Sequence, residues 1–194
     1  MYKLYIDTST KFLCIGITKN DEILFNYQEI AEKKQSELTI PILEKALRAC
    51  HLQLKDIQEV CVTIGPGSFT GIRIGMCIAK TLASIHQIPL KAISSLNAYA
   101  SNRPSIVLLD AKANRAYVGI YKQHKSLIQE CVLPLVNIQK MIEDYSDFEI
   151  VLDGHLINKE DCIPQNIIQN MIDIAKITPY VENVDALIPI YLKD

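Results

Sequence analysis

Between Val60 and Ile85 the chain carries a pattern that few folds accommodate: a short β-branched run, a stiff glycine turn and a long helix in direct succession. Val60-Cys61-Val62-Thr63-Ile64 is the kind of run a strand shows when both of its faces are covered. In the turn, Gly65-Pro66-Gly67-Ser68-Phe69-Thr70-Gly71, the glycines permit positive φ or close backbone approach, and Pro66 fixes one torsion between them. Ile72 to Ile85 then reads as helix. Ser68 or Thr70 is placed to cap it, and the free N–H groups of its first turn can receive an anion or a partner's carboxylate. From spacing alone a plain strand-to-helix turn is the simpler reading. The run is not a P-loop, because no Gly-Lys-Ser/Thr closes it, and three residues separate Gly67 from Gly71, which excludes G-x-G-x-x-G.

The helix adds a second constraint. Gly71, Gly75, Ala79 and Ala83 recur every four residues, so small side chains line one ridge and another backbone can approach closely. That neighbour is either the chain's own sheet or a helix of another chain.

Lys3 to Ile6 reads as a strand ending in Asp7-Thr8-Ser9-Thr10, and Phe12 to Thr18 and Glu22 to Tyr27 continue it as a meander. A helix is expected from Glu37 to Cys50, capped by Ser36, with Leu38, Ile42, Ala46, Leu47 and Cys50 on one face; Pro41 should bend it or delay its start. A strand at Pro89 to Ile93 and a turn or helix from Ser94 to Ala100 follow. The polar stretch Ser101-Asn102-Arg103-Pro104-Ser105 is the expected domain boundary, dividing residues 1–102 from 103–194. Beyond it the opening recurs: Ser105 to Asp110 is again a strand ending in aspartate. Asp110, Gly119 and Ile120 repeat Asp7, Gly16 and Ile17 at a constant offset of 103 residues, joined by Lys122 with Lys19 and Leu127 with Leu24. A helix at Val136 to Asp144, a strand at Glu149 to Leu152 and a helix at Gln165 to Ile177 complete the second unit. Two such units in tandem place Asp7 and Asp110 on opposite sides of a shared cleft, where aspartate turns can hold the phosphates and metal of a nucleotide. Asp7-Thr8-Ser9-Thr10 is also ordinary turn chemistry.

A net charge of −2 among 194 residues gives no global field for nucleic acid. The six cysteines form no C-x-x-C pair and read as reduced core residues. The four histidines are scattered singly, so no helical histidine pair can build a metal site, and no metal is expected. G-x-S-x-G is absent, which argues against a serine hydrolase. Arg73 and Arg115 are placed either to hold an anion or to pair within the chain. The N-terminus reaches a charge too soon for a signal peptide, so a cytoplasmic location is expected.

Ile6-Asp7-Thr8-Ser9-Thr10, the run Gly65 to Gly75, Leu109-Asp110-Ala111 with Arg115 and Tyr117, and the ending Pro189-Ile190-Tyr191-Leu192-Lys193 together resemble the bacterial TsaB (YeaZ) family over nearly the whole chain. The resemblance implies an α/β, duplicated actin-like ATPase (ribonuclease H-like) fold. It implies an accessory, non-catalytic role in making N6-threonylcarbamoyladenosine on tRNA, through binding and ordering of the catalytic TsaD paralogue, with a TsaE-type ATPase completing the machinery. Homodimerisation when alone, contact with tRNA only through the complex and no membrane association go with it. In relatives the helices before and after the glycine run form the subunit interface. That places Leu38, Ile42, Phe69, Gly71, Gly75, Ile78, Ala79, Leu82 and Ala83 at the interface of this chain. No cofactor is required, with weak ATP or ADP binding confined to Asp7, Thr8, Ser9 and Asp110 or to a subunit interface. Two departures stand out: Gln35 replaces a histidine that family members often carry, and the second half is shorter than usual. The rival is a small ATP-dependent phosphotransferase using Asp7 and Asp110. It lacks an evident adenine-binding glycine pair in the second half and a general base.

Overall fold

The computed structural model describes residues 1–31 and 33–192; Lys193 of the terminal motif lies outside them. The first sheet is built from β1 (Tyr2–Asp7), β2 (Phe12–Lys19), β3 (Glu22–Ile30), β4 (Ile57–Thr63) and β5 (Leu90–Ile93), in the order β3-β2-β1-β4-β5. The second holds β6 (Ser105–Lys112), β7 (Arg115–Lys122), β8 (Lys125–Ser126), β9 (Cys131–Pro134) and β10 (Glu149–Leu152). Its order is β10-β6-β7-β8, with β9 also on β7. In each sheet the strand that carries the repeated aspartate pairs antiparallel with its successor and parallel with a later strand: β1 with β2 and β4, β6 with β7 and β10, although β6 runs on past Asp110 to Lys112. The duplication is therefore one of topology, with the second copy lacking a counterpart of β5.

Among the described residues five α-helices fill the layers: α1 (Gln35–Ala49), α2 (Phe69–His86), α3 (Ser95–Tyr99), α4 (Leu135–Glu143) and α5 (Ile167–Ile177). Period-two alternation decides which face each strand residue serves. Leu4, Ile6, Leu13, Ile15, Ile17, Val60 and Val62 point to the layer of α1 and α2. Tyr5, Cys14 and Cys61 point the other way, into a core shared with α3, α5 and the inner face of the second sheet. Gly16 belongs to that inner face, where a Cβ would meet Ile168 Cγ2 at 2.5 Å, so the glycine lets α5 settle onto β2. The outer face of the second sheet, Ile106, Leu108, Val118 and Ile120, is covered by α4 through Ile138. The layers thus run α1/α2, sheet, α3/α5, sheet, α4.

Three sequence expectations are corrected. α2 begins at Phe69, one turn before Ile72, because Ser68 caps it by accepting from Gly71 N at 3.2 Å. α1 begins at Gln35 and Ser36 does not cap it; Gln35 is instead anchored by donating Nε2 to Thr10 O at 2.9 Å. The helix runs through Pro41, which lies on its exposed side. Its core face is Thr39, Leu43, Ala46 and Leu47 rather than Leu38, Ile42 and Cys50, and Thr39 is buried at no polar cost because its hydroxyl donates to Gln35 O.

After α5 the chain returns as a strap over the first half, which the sequence pattern did not indicate. Val181 N donates to Leu90 O at 2.8 Å, Lys80 Nζ donates to the carbonyls of Asp185 and Leu187 at 3.0 Å, and Ile190 N donates to Ile64 O at 2.7 Å. Among the described residues no helix is long and apolar enough to cross a membrane.

Candidate functional site

A cleft of about 1090 Å³ opens between the two sheets. Its first wall is the β1–β2 turn, Ser9 to Lys11, with the glycine loop and the start of α2, Gly67 to Gly71. Its second wall is the end of β6, Asp110 to Lys112, with Asp153 and His155 beyond β10.

The two aspartates related by the repeat meet different fates. Asp7 is fully buried and does not line the cleft. Its Oδ1 accepts from Ser9 N (3.0 Å), Ser9 Oγ (2.5 Å) and Thr63 Oγ1 (2.6 Å), and its Oδ2 accepts from Tyr99 Oη (2.7 Å). Burial first, and the Asp7 charge second, push the Tyr99 phenol far above its ordinary range, so it stays a donor. Thr10 Oγ1 closes the network on Tyr99 at 2.6 Å. Asp110 lines the cleft, half-buried, and folds back on its own turn, accepting from Lys112 N at 2.7 Å and Lys112 Nζ at 2.5 Å. Burial alone would raise its pKa, but the Lys112 hydrogen bonds and charge outweigh burial and hold it below the ordinary carboxylate range.

The actin-like fold implies a nucleotide and metal at such turns, and the residues present do not fit them. Both Asp7 oxygens are satisfied below the surface, out of reach of a metal or its water. Thr8 donates to Gly71 O at 2.6 Å and accepts from Gly75 N at 3.1 Å, so it serves the packing of α2 on β1. Of the four expected residues only Ser9 and Asp110 reach the cleft.

The small-residue ridge is also corrected: it does not reach the surface. Gly71, Gly75, Ala79 and Ala83 are buried against the chain's own sheet. A Cβ on Gly75 would lie 2.6 Å from Thr8 Oγ1, and one on Gly71 would overlap the Thr8 carbonyl oxygen. Leu82 is buried with them. The rest of the expected interface is accessible: Leu38, Ile42 and Ile78 pack partly on the α1–α2 core while keeping surface in water, and Phe69 is 56 % exposed. Ile74 is half-buried nearby, and Ile40 and Ile85 are exposed on the same two helices.

Phe69 does not stand alone. Tyr191 stacks on it with ring centroids 5.4 Å apart, and the Arg73 guanidinium lies 3.7 Å above its ring while donating Nε to Tyr191 Oη at 2.9 Å. Arg73 therefore pairs within the chain, and the terminal motif proves to be the clasp of the strap. Sequence reasoning missed Thr63 and Tyr99 as the Asp7 partners, since neither shares a segment with it. It also missed Asp153, His155 and Asp161, although Asp153-Gly154 directly after a strand resembles the earlier aspartate turns.

A family model described as "TsaD: tRNA N6-adenosine threonylcarbamoyltransferase" matches residues 22–148. The chain is 35% identical over 147 residues to the tRNA threonylcarbamoyladenosine biosynthesis protein TsaB of Bacillus subtilis, the match covering 73% of this chain and 63% of that one. It is 31% identical over 150 residues to the TsaB protein of Buchnera aphidicola subsp. Schizaphis graminum, covering 73% and 70%. The matched part thus falls short of two thirds of the Bacillus protein. Among solved structures, YeaZ from Pseudomonas aeruginosa superposes with a TM-score of 0.80 at 18% identity, covering 98% of this chain and 100% of that one, a likeness of fold.

Proposed function

Because the chain belongs to the TsaB (YeaZ) family of tRNA threonylcarbamoyladenosine biosynthesis proteins, we propose that it is a non-catalytic, accessory subunit that binds a TsaD-type transferase and orders its cleft. The observation that carries this reading is the state of Asp7. A phosphotransferase of this architecture needs its first-strand carboxylate at the cleft, and here four donors hold that carboxylate beneath the surface. What the molecule offers instead is a surface. Leu38, Ile42, Ile74 and Ile78, with Ile40 and Ile85 beside them, leave more apolar side chain in water along α1 and α2 than a solitary subunit needs. The partner paralogue is the occupant, a second copy takes its place when the partner is absent, and a TsaE-type ATPase and tRNA join through the complex in the cytoplasm. The contribution is positional: a displacement of about 1 Å in a partner's catalytic geometry costs roughly 100-fold in rate.

The test is reconstitution of tRNA modification from transferase, ATPase and carbamoyl-adenylate synthase, with and without this chain, read by nucleoside mass spectrometry. Dependence on the chain, with no ATP turnover by the chain alone, is the expected result. Indifference to the chain, or ATP turnover of its own that Asp7→Asn abolishes, would sink the reading.

A further inference from the structure

Three potential ligands converge where the second wall of the cleft meets the loop after β10. One ligand atom each of Asp153, His155 and Asp161 lies within 4.8 Å of the other two. Scattered histidines had argued against a metal, but that argument concerned histidine pairs on one helix; here a single imidazole joins carboxylates brought together by the loop.

Asp153 gives the cluster its direction. It is only 8% exposed, and its Oδ2 accepts from Asp110 N at 2.9 Å. Among the described residues its Oδ1 receives no hydrogen bond, and no cation pairs with the carboxylate within 4 Å, for Lys112 is taken by Asp110 and Lys11 sits 3.7 Å from Asp161 Oδ2. A nearly buried carboxylate with one oxygen unbonded is costly and favours a cation in direct contact with it. His155 and Asp161 are already oriented toward one another, with Asp161 Oδ1 accepting from His155 N at 3.1 Å and meeting His155 Nδ1 at 2.7 Å.

We propose that Asp153, His155 and Asp161 form a binding site for one divalent first-row transition cation of the Mn²⁺ class. Carboxylate oxygens and one imidazole are a donor set that suits such ions. The ion takes the place of the hydrogen bond between His155 Nδ1 and Asp161, the proton displaced from Nδ1 passes to water, and the coordinated imidazole keeps its proton on Nε2. The remaining positions take water, and Lys11 competes with the ion for Asp161.

Mn²⁺ is the appropriate probe, since Zn²⁺ would also titrate the six cysteines, all of them free thiols. Titration of the full chain with Mn²⁺, followed by the loss of the aqueous EPR signal, is expected to show one bound ion. His155→Ala and Asp161→Asn should each weaken it about tenfold or more. Lys11→Ala, which removes the competing ammonium, should tighten it several-fold, a gain that general destabilisation does not produce. Circular dichroism confirms that each variant is folded. Absence of binding below about 1 mM, or binding indifferent to His155→Ala and Lys11→Ala, would overturn the site.

Discussion

Asp7 and Asp110 are the same residue at the same offset in two copies of one unit, yet removing their charges should have unequal effects. In Asp7→Asn the amide turns a donor toward a site where four donors already converge, and the lost charge-assisted bonds are buried. A loss of about 3 kcal/mol is expected, which for a chain of this size lowers Tm by roughly 6–12 °C. Asp110→Asn loses a partly solvated pair with Lys112 and should cost under about 1 kcal/mol. Its folded pKa is lowered, so that small stabilisation is present above the unfolded carboxylate range and disappears as pH falls through the folded value. Paired melting curves of the two variants check this; equal shifts, or no shift for Asp7→Asn, would show that Asp7 is not the structural hub. The aspartates themselves were legible, because acidic strand ends repeated at one offset are not generic core. Which of them faces the cleft was not, because Thr63 and Tyr99 reach Asp7 from β4 and α3 and leave no mark near it in the sequence.

Helices α1 and α2 show how an amphipathic pattern can be located correctly and oriented wrongly. The apolar positions of α1, Leu38, Ile40, Ile42, Leu43, Ala46 and Leu47, span a wider arc than one core can bury. The sequence reading set Leu38 and Ile42 on one face with Ala46, Leu47 and Cys50, and the family resemblance placed both at a subunit interface. The fold gives the core Thr39 and Leu43, since Thr39 donates to Gln35 O one turn back and Gln35 donates to Thr10 O across the cleft wall, so both polar side chains can go inside. The displaced Leu38 and Ile42 are left at the surface beside Ile78, and that surplus is the reason to expect a partner. In α2 the regular spacing of small residues was read correctly as a close-approach ridge, but periodicity cannot name the neighbour, which is Thr8 and β1. Two substitutions separate surface from ridge. Ile78→Asp should leave the circular dichroism spectrum intact and weaken association with the partner paralogue about 30-fold or more, as seen by analytical ultracentrifugation. Gly75→Leu should unfold the subunit, since even its Cβ lacks room. A folded Gly75→Leu chain, or an Ile78→Asp chain that assembles normally, would move the interface elsewhere.

At the scale of the molecule, the repeat was legible and the route of the chain through it was not. Strands and helices follow their local periodicities, so most appear close to where the pattern puts them. The strap of residues 178–192 has no periodicity: it is held by single backbone bonds to Leu90 and Ile64 and by side chains of α2, contacts about a hundred residues distant in sequence. The polar stretch around Ser101 marks a change of sheet, and the core on the first sheet's inner face draws on residues beyond it. The inner face of the first sheet, Tyr5, Cys14 and Cys61, is covered from beyond that stretch by α5, whose Ile168, Met171, Ile172 and Ala175 are all buried. Each fully buried apolar side chain contributes about 1.5–3 kcal/mol, so losing α5 removes an amount comparable to the whole stability of an ordinary domain, roughly 5–15 kcal/mol. Losing the strap also takes away the Tyr180 hydroxyl that donates to Glu59 at 2.7 Å, and Lys91 loses the α5 carbonyl of Ala175 to which it donates. Residues 1–102 expressed alone should therefore lack a cooperative melt and a dispersed amide NMR spectrum, while the full chain shows both. A well-dispersed, cooperatively melting 1–102 fragment would mean that α1 and α2 stabilise the first sheet from one side only, and that α5 joins a domain already formed.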